Sequence, residues 1–193
     1  ASREHQYLSL TNAMYLGTSH VFDFSPVVYD LVKSSFQRKN LALKDTMVIH
    51  VRLGDFNVHC ARVGINQDCY FTLREMEPKI RETKQKLGVK NIVIMSNGAI
   101  PVDMISRNNW TMISDIYSHL PSLGSNRQVI VEMATGVLAQ YFVGNVYSTL
   151  SGSIASLRKR YHSDGETTMT IGYLMGMTNT STYVNIVDLS LTQ

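Results

Sequence analysis

The sequence is short of several things, and each shortage narrows what the chain does. It has no apolar run approaching the roughly 18 residues of a membrane-spanning helix, so no such span is expected. Charged residues make up 17% of the 193 positions, less than usual, yet 44% are hydrophobic, enough for a sizeable core; intrinsic disorder is not expected. Eighteen basic and fifteen acidic residues leave a formal charge of +3. No basic run is longer than Arg158-Lys159-Arg160, so the dense basic stripe of a dedicated nucleic-acid binder is missing. No internal repeat, low-complexity tract or proline-rich linker divides the chain, and its length suits one domain over residues 1–193.

The usual signatures of chemistry are missing as well. There is no P-loop, dinucleotide fingerprint, H-E-x-x-H, C-x-x-C or G-x-S-x-G. Ser156-Leu157-Arg158-Lys159 fits S-x-x-K without its companion motifs and reads as chance. Six histidines are scattered without metal-ligand spacing, and no metal is expected.

What is present is an alternation of two segment types. Met47–Val51, Asn91–Met95, Trp110–Ile113 and Tyr141–Val143 are short apolar, β-branched runs, as expected of strands covered on both faces. Between them apolar residues recur at helical spacing. Ser25-Pro26 opens one helix, with proline at its first position. Thr72 to Glu75 forms a capping box, and Gly88 closes the helix it starts. Arg127 to Gln140 carries a third stripe; Ile154, Leu157 and Tyr161 mark a fourth helix. The pattern predicts an α/β domain with a parallel sheet flanked by helices. The tail over 164–193, rich in glycine, threonine and methionine, has no clear assignment, although Tyr183–Leu189 suits a last strand.

Two strand ends carry the chemistry. His50-Val51-Arg52-Leu53-Gly54-Asp55 follows the first buried strand, and ligands of open α/β sheets bind beyond the carboxyl ends of strands. The arginine fork suits phosphate, Gly54 permits a tight turn, and Asp55 can brace Arg52. Alone, this reads better as a strand-end ion pair between Arg52 and Asp55. The stretch from Tyr141 to Ser153 is a strand, a hydroxyl-rich loop and a helix start, where backbone N–H groups attract anions. Capping by Ser151 or Ser153 explains one or two of its hydroxyls but not four Ser/Thr in six residues. Two phosphate-suited strand ends in one sheet predict a nucleotide-diphosphate site.

With these segments in view, H-x-R-x-G-D after a strand, Met95-Ser96-Asn97 after the next and YFVGNVYSTLSGSIASLRK further on resemble the C-terminal half of GDP-fucose-dependent O-fucosyltransferases and their α1,6-fucosyltransferase relatives. The resemblance runs from about Phe22 to Arg160. It implies a Rossmann-like half of a GT-B glycosyltransferase that binds GDP-fucose as donor without metal and transfers fucose, with inversion, to a protein or glycan hydroxyl. It implies that Arg52 holds the β-phosphate as electrostatic catalyst and that His50 lines the nucleotide pocket. Asp55 would orient Arg52, and Ser148, Thr149 and Leu150 would form the phosphate turn. Leu150 departs from the aromatic residue often found there. Glu132 would contact the nucleoside, where aspartate is commoner. Arg158, further along the helix, is expected to face solvent.

The family's N-terminal half, with its glycine-rich loop and acceptor-side groups, has no counterpart in these residues. The chain starts at Ala1 rather than Met, as expected of a processed, cut or partial sequence. Partners would therefore include the nucleotide sugar, the acceptor, and an N-terminal half or second chain. Cys60 and Cys69, nine apart in a polar segment, suit a disulfide in a secreted chain and free thiols in the cytosol. Asn109-Trp110-Thr111 and Asn179-Thr180-Ser181 are glycosylation sequons. Together these features favour the secretory lumen or secretion. Two alternatives stand beside the enzyme reading: a secreted lectin-like or defence protein that kept the fold without turnover, and an α/β protein whose anion site is incidental.

Overall fold

The computed structural model describes residues 24–54, 58, 60–61, 70–120, 124–145, 147–162 and 167–176. In chain order these form α1 (Pro26–Arg38), a 3-10 turn (Leu43–Asp45), β1 (Thr46–Val51), α2 (Leu73–Leu87), β2 (Asn91–Ser96), α3 (Val102–Asn108) and β3 (Thr111–Met112). There follow α4 (Ile113–Ile116), α5 (Gly124–Leu138), β4 (Tyr141–Gly144), α6 (Thr149–Tyr161), β5 (Thr168–Thr170) and α7 (Ile171–Leu174).

The five strands make one sheet in the order β3-β2-β1-β4-β5, with every neighbouring pair parallel. From β1 the chain steps outward through β2 to β3. It then returns to the other side of β1 as β4 and steps outward again to β5. The direction of winding therefore reverses between β1 and β4, and at such a switch point the two following loops diverge and leave a crevice at the carboxyl edge.

All six residues of β1 are buried, because helices cover both faces. Alternation along the strands sorts the core in two. Val48, Val93, Met95 and Phe142 pack with Val32 and Phe36 of α1, Ile113 and Ile116 of α4, Val131, Ala134 and Val137 of α5, and Ile154 and Leu157 of α6. Met47, Ile49, Val51, Ile92, Ile94 and Val143 pack on the opposite face with Leu73, Met76 and Ile80 of α2, Met104 of α3 and Ile171 and Leu174 of α7. Each of these side chains larger than alanine stabilises the fold by roughly 1.5–3 kcal/mol on burial.

Local signals behave as their chemistry requires. The capping box closes: Glu75 N–H donates to Thr72 Oγ1 at 3.3 Å and Thr72 N–H to Glu75 Oε2 at 2.7 Å. Gly88 caps the other end of α2 in the left-handed conformation, and Pro26 opens α1.

Three expectations change. The strand foreseen over Trp110–Ile113 shrinks to Thr111–Met112, since Ile113 already starts α4. As an edge strand it pairs only with Val93 and Ile94, while Trp110 is 6% exposed and buried in the core. The stripe foreseen over Arg127–Gln140 is α5, which begins at Gly124 and stops at Leu138. The unassigned tail supplies β5, pairing Phe142 with Thr168 and Gly144 with Thr170. The strand expected over Tyr183–Leu189 lies outside the described residues. No helix among the described residues is long and apolar enough to cross a membrane.

Candidate functional site

Parallel pairing places the ends of β1 and β4 side by side: Ile49 faces Val143 in the ladder. Beyond these ends lie Arg52 to Gly54 on one side and Asn145, Tyr147 and Ser148 on the other. They flank the switch point between them.

His50 is the penultimate residue of β1. The alternation that turns Ile49 and Val51 towards α2 turns His50 to the opposite face, where α6 packs. It is 2% exposed, and its Nδ1 lies 2.7 Å from Ser151 Oγ in the first turn of α6. Burial, reinforced by the positive charge of Arg52, lowers its pKa to about 4. His50 is therefore a neutral hydrogen-bonding group at physiological pH and adds no cation to the crevice.

Ser151 Oγ also accepts the Asn145 N–H at 3.1 Å. Asn145 in turn organises the β4–α6 loop. Its Oδ1 accepts Tyr147 N–H at 2.8 Å, and its carbonyl accepts Ser148 N–H at 3.0 Å. Sequence reasoning assigned Asn145 no role, although an asparagine just after a strand and two residues before a turn amide is a recognisable loop signal. Ser148 is the N-cap of α6, in extended conformation, but its side chain does not cap the helix. The capping expected of Ser151 is replaced by its bond to His50. α6 already begins at Thr149, so Ser153 lies within it.

The other expected residues fall as follows. Ser148 is buried, Thr149 is exposed, and Leu150 is half-buried with its side chain against the α1–α5–α6 core. Arg52 is half-buried, close enough for its charge to depress His50. Gly54 has φ +69°, the left-handed turn its glycine permits. Glu132 is half-buried on α5 and accepts from Gln128 Nε2 at 2.8 Å; burial raises its pKa, the hydrogen bond opposing. Asn109 is exposed and ends α3 with φ +52°. Cys60 is buried. Asp55, Cys69 and Asn179 lie outside the described residues.

Arg158 corrects an expectation outright. Far from facing solvent, it is 1% exposed. Its Nη1 donates to the carbonyls of Gly136 at 2.9 Å, Val137 at 3.0 Å and Ala139. Its Nη2 donates to Gln140 at 2.8 Å and Thr167 at 3.1 Å, and its Nε to Thr168 Oγ1 at 2.9 Å. The helix end of α5 exposes carbonyls with no intrahelical donor. Arg158 supplies the donors and ties α5, α6 and β5 together at the amino edge of the sheet.

A separate cleft of about 440 Å³, lined by Arg81, Lys84, Arg107 and Trp110 among others, opens near the amino ends of β2 and β3. It lies at the end of the sheet away from the switch point.

The class this architecture defines is an open, parallel α/β domain with a crevice at its switch point. No family model and no curated protein matches the chain. Solved structures of POFUT1 are similar in fold. The apo form matches with a TM-score of 0.56 at 18% identity, over 77% of this chain and 47% of that one. The complex with GDP-fucose gives 0.54 and 17%, over 71% and 43%. The complex with GDP gives 0.53 and 18%, over 70% and 44%. The chain thus spans less than half the length of these structures, and at such identity the likeness is one of fold.

Proposed function

We propose that this chain is the donor-binding part of an inverting, metal-independent fucosyltransferase, with GDP-fucose as its donor. The observation that carries the reading is the convergence on one switch point of Arg52 from β1 and the Ser148–Ser151 turn from β4–α6. A fold shared with proteins solved in complex with GDP and GDP-fucose supports it.

In this reading Arg52 pairs with the β-phosphate, and the first amides of α6, with Thr149, take the remaining phosphate oxygens. As the fucose C1–oxygen bond breaks, negative charge grows on departing GDP. A fixed guanidinium and a helix start stabilise that charge without reorganising, which is the work a metal would otherwise do. His50, neutral and locked on Ser151, sets the floor of the pocket. Asp55 steadies Arg52, and Glu132, whose raised pKa makes it readier to hold a proton, meets the nucleoside. The acceptor, a protein or glycan hydroxyl, and the groups that take its proton come from the other wall of the cleft. A disulfide between Cys60 and Cys69, glycans on Asn109 and Asn179, and a lumenal or secreted location complete the proposal.

The test is calorimetric titration with GDP and GDP-fucose, followed by incubation with labelled GDP-fucose and peptide or glycan acceptors. Donor binding without product is expected, because holding an acceptor in line is worth roughly 7–11 kcal/mol of barrier and that wall is not among these residues. Robust turnover would show that this chain supplies both walls. No GDP binding at millimolar concentration would overturn the donor-site reading and leave a non-catalytic binding protein.

A further inference from the structure

We infer that Asn97, with Gly98, is a positioning residue for Arg52; the inference rests on the donor-site reading above. The β1–β2 ladder ends where Val51 faces Ser96. One step further on, Asn97 Oδ1 accepts the Leu53 N–H at 2.8 Å. The side-chain amide thus prolongs the ladder just past Arg52, where the backbone of β2 has already turned away into its loop. Gly98 grips the same residue by contact. A Cβ at position 98 would stand 2.8 Å from Leu53 Cβ, closer than carbon atoms pack, so only glycine lets the two loops approach this nearly. Gly98 is itself fixed by Ser96, whose Oγ accepts Gly98 N–H at 3.1 Å and donates to Gly98 O at 3.2 Å.

Arg52 therefore lies between two anchored neighbours. Val51 is held by strand pairing, and Leu53 by Asn97 and Gly98. The turn that follows, at Gly54, packs within reach of the Asn97 amide: a Cβ there would lie 3.6 Å from its Nδ2. Asn97 is exposed and is not needed to fill the core. Its effect is to remove backbone freedom from the arginine before ligand arrives, which spares that cost on binding.

The experiment compares GDP with GMP, because only the diphosphate offers Arg52 its β-phosphate. Asn97→Ala is expected to weaken GDP binding by roughly 3- to 10-fold, the value of one hydrogen bond, and to leave GMP binding unchanged. In an Arg52→Ala background the same substitution is expected to add nothing, since its effect passes through the arginine. Gly98→Ala should lower the GDP-to-GMP preference by an independent route. Amide exchange at Leu53, slow in the wild type, should accelerate in Asn97→Ala. Equal weakening of GDP and GMP, or an undiminished effect without Arg52, would make Asn97 merely structural. A Leu53 amide that exchanges equally fast in both proteins would overturn the clamp whatever the nucleotide result. Wild-type protein that binds neither nucleotide would instead remove the donor site, and with it this role for the clamp.

Discussion

His50 on β1 and Ser151 on α6 are 101 positions apart in the chain, and a 2.7 Å hydrogen bond joins them in a buried setting. The bond crosses the switch point of the sheet. It fixes the helix whose start is proposed to meet phosphate against the strand whose end carries Arg52.

That burial makes acid stability depend on His50. An unfolded histidine titrates near 6.5, whereas the folded one holds off protonation to about 4. As pH falls below 6.5 the unfolded chain gains a proton that the folded chain refuses. Stability is therefore fully present above 6.5, falls between 6.5 and about 4, and changes no further through this group below that. The expected loss is on the order of 3 kcal/mol. Urea midpoints at pH 7 and pH 4.5 measure it, and His50→Gln should flatten this part of the profile. An unchanged slope in that variant would mean that other groups set the acid limit.

Arg52→Ala is expected to weaken GDP binding by roughly 10- to 150-fold, corresponding to about 1.5–3 kcal/mol for a charge-assisted contact. Thermal stability should hardly move, since the side chain is only half-buried at a loop. Calorimetry beside thermal melts separates the two effects. Wild-type affinity in the variant would place the diphosphate elsewhere.

Arg158 should show the opposite pattern. Arg158→Met keeps much of the volume but strips donors from five carbonyls and from Thr168 Oγ1. Val137 O keeps His162 Nε2 and Thr167 O keeps the Phe142 N–H, but the other acceptors lose the arginine at about 1–3 kcal/mol each, so a loss of at least ~3 kcal/mol is expected. Arg158→Lys should recover little, because one ammonium cannot reach acceptors that a planar fork spans. Guanidinium unfolding measures both. A midpoint within error of wild type would contradict the structural role.

The cysteines give a prediction about covalent structure. Cys60 is buried, and the chain has one other cysteine, Cys69. Mass spectrometry of unreduced protein from an oxidising compartment should find the Cys60–Cys69 peptide pair. Closing so short a loop is expected to add ~2–3 kcal/mol from chain entropy, less if strained. Two free thiols in such protein would exclude the bridge.

Much of this was legible in the residues themselves. β-Branched runs ending at Val51 and Met95, the Thr72–Glu75 box and the Gly88 stop are local effects, decided by side-chain periodicity and by which amide a neighbouring hydroxyl can reach. They suffice for an α/β sheet and for the suspicion that His50, Arg52 and the Ser148–Ser153 segment matter. Strand order was not local. Nothing near β4 says that it returns beside β1 rather than adding to β3, yet that return creates the crevice. The roles of Ser151, Arg158 and Asn97 depend on the same long-range packing. A serine in a first turn reads as a cap until a histidine arrives from another strand. An arginine on a helix reads as solvated until the carbonyl end of α5 and the start of β5 close over it. Local pattern is enough for the elements and for the chemical groups on offer. Which groups meet is settled by the packed fold, because hydrogen bonding and burial energies depend on the distance between atoms that the chain keeps far apart.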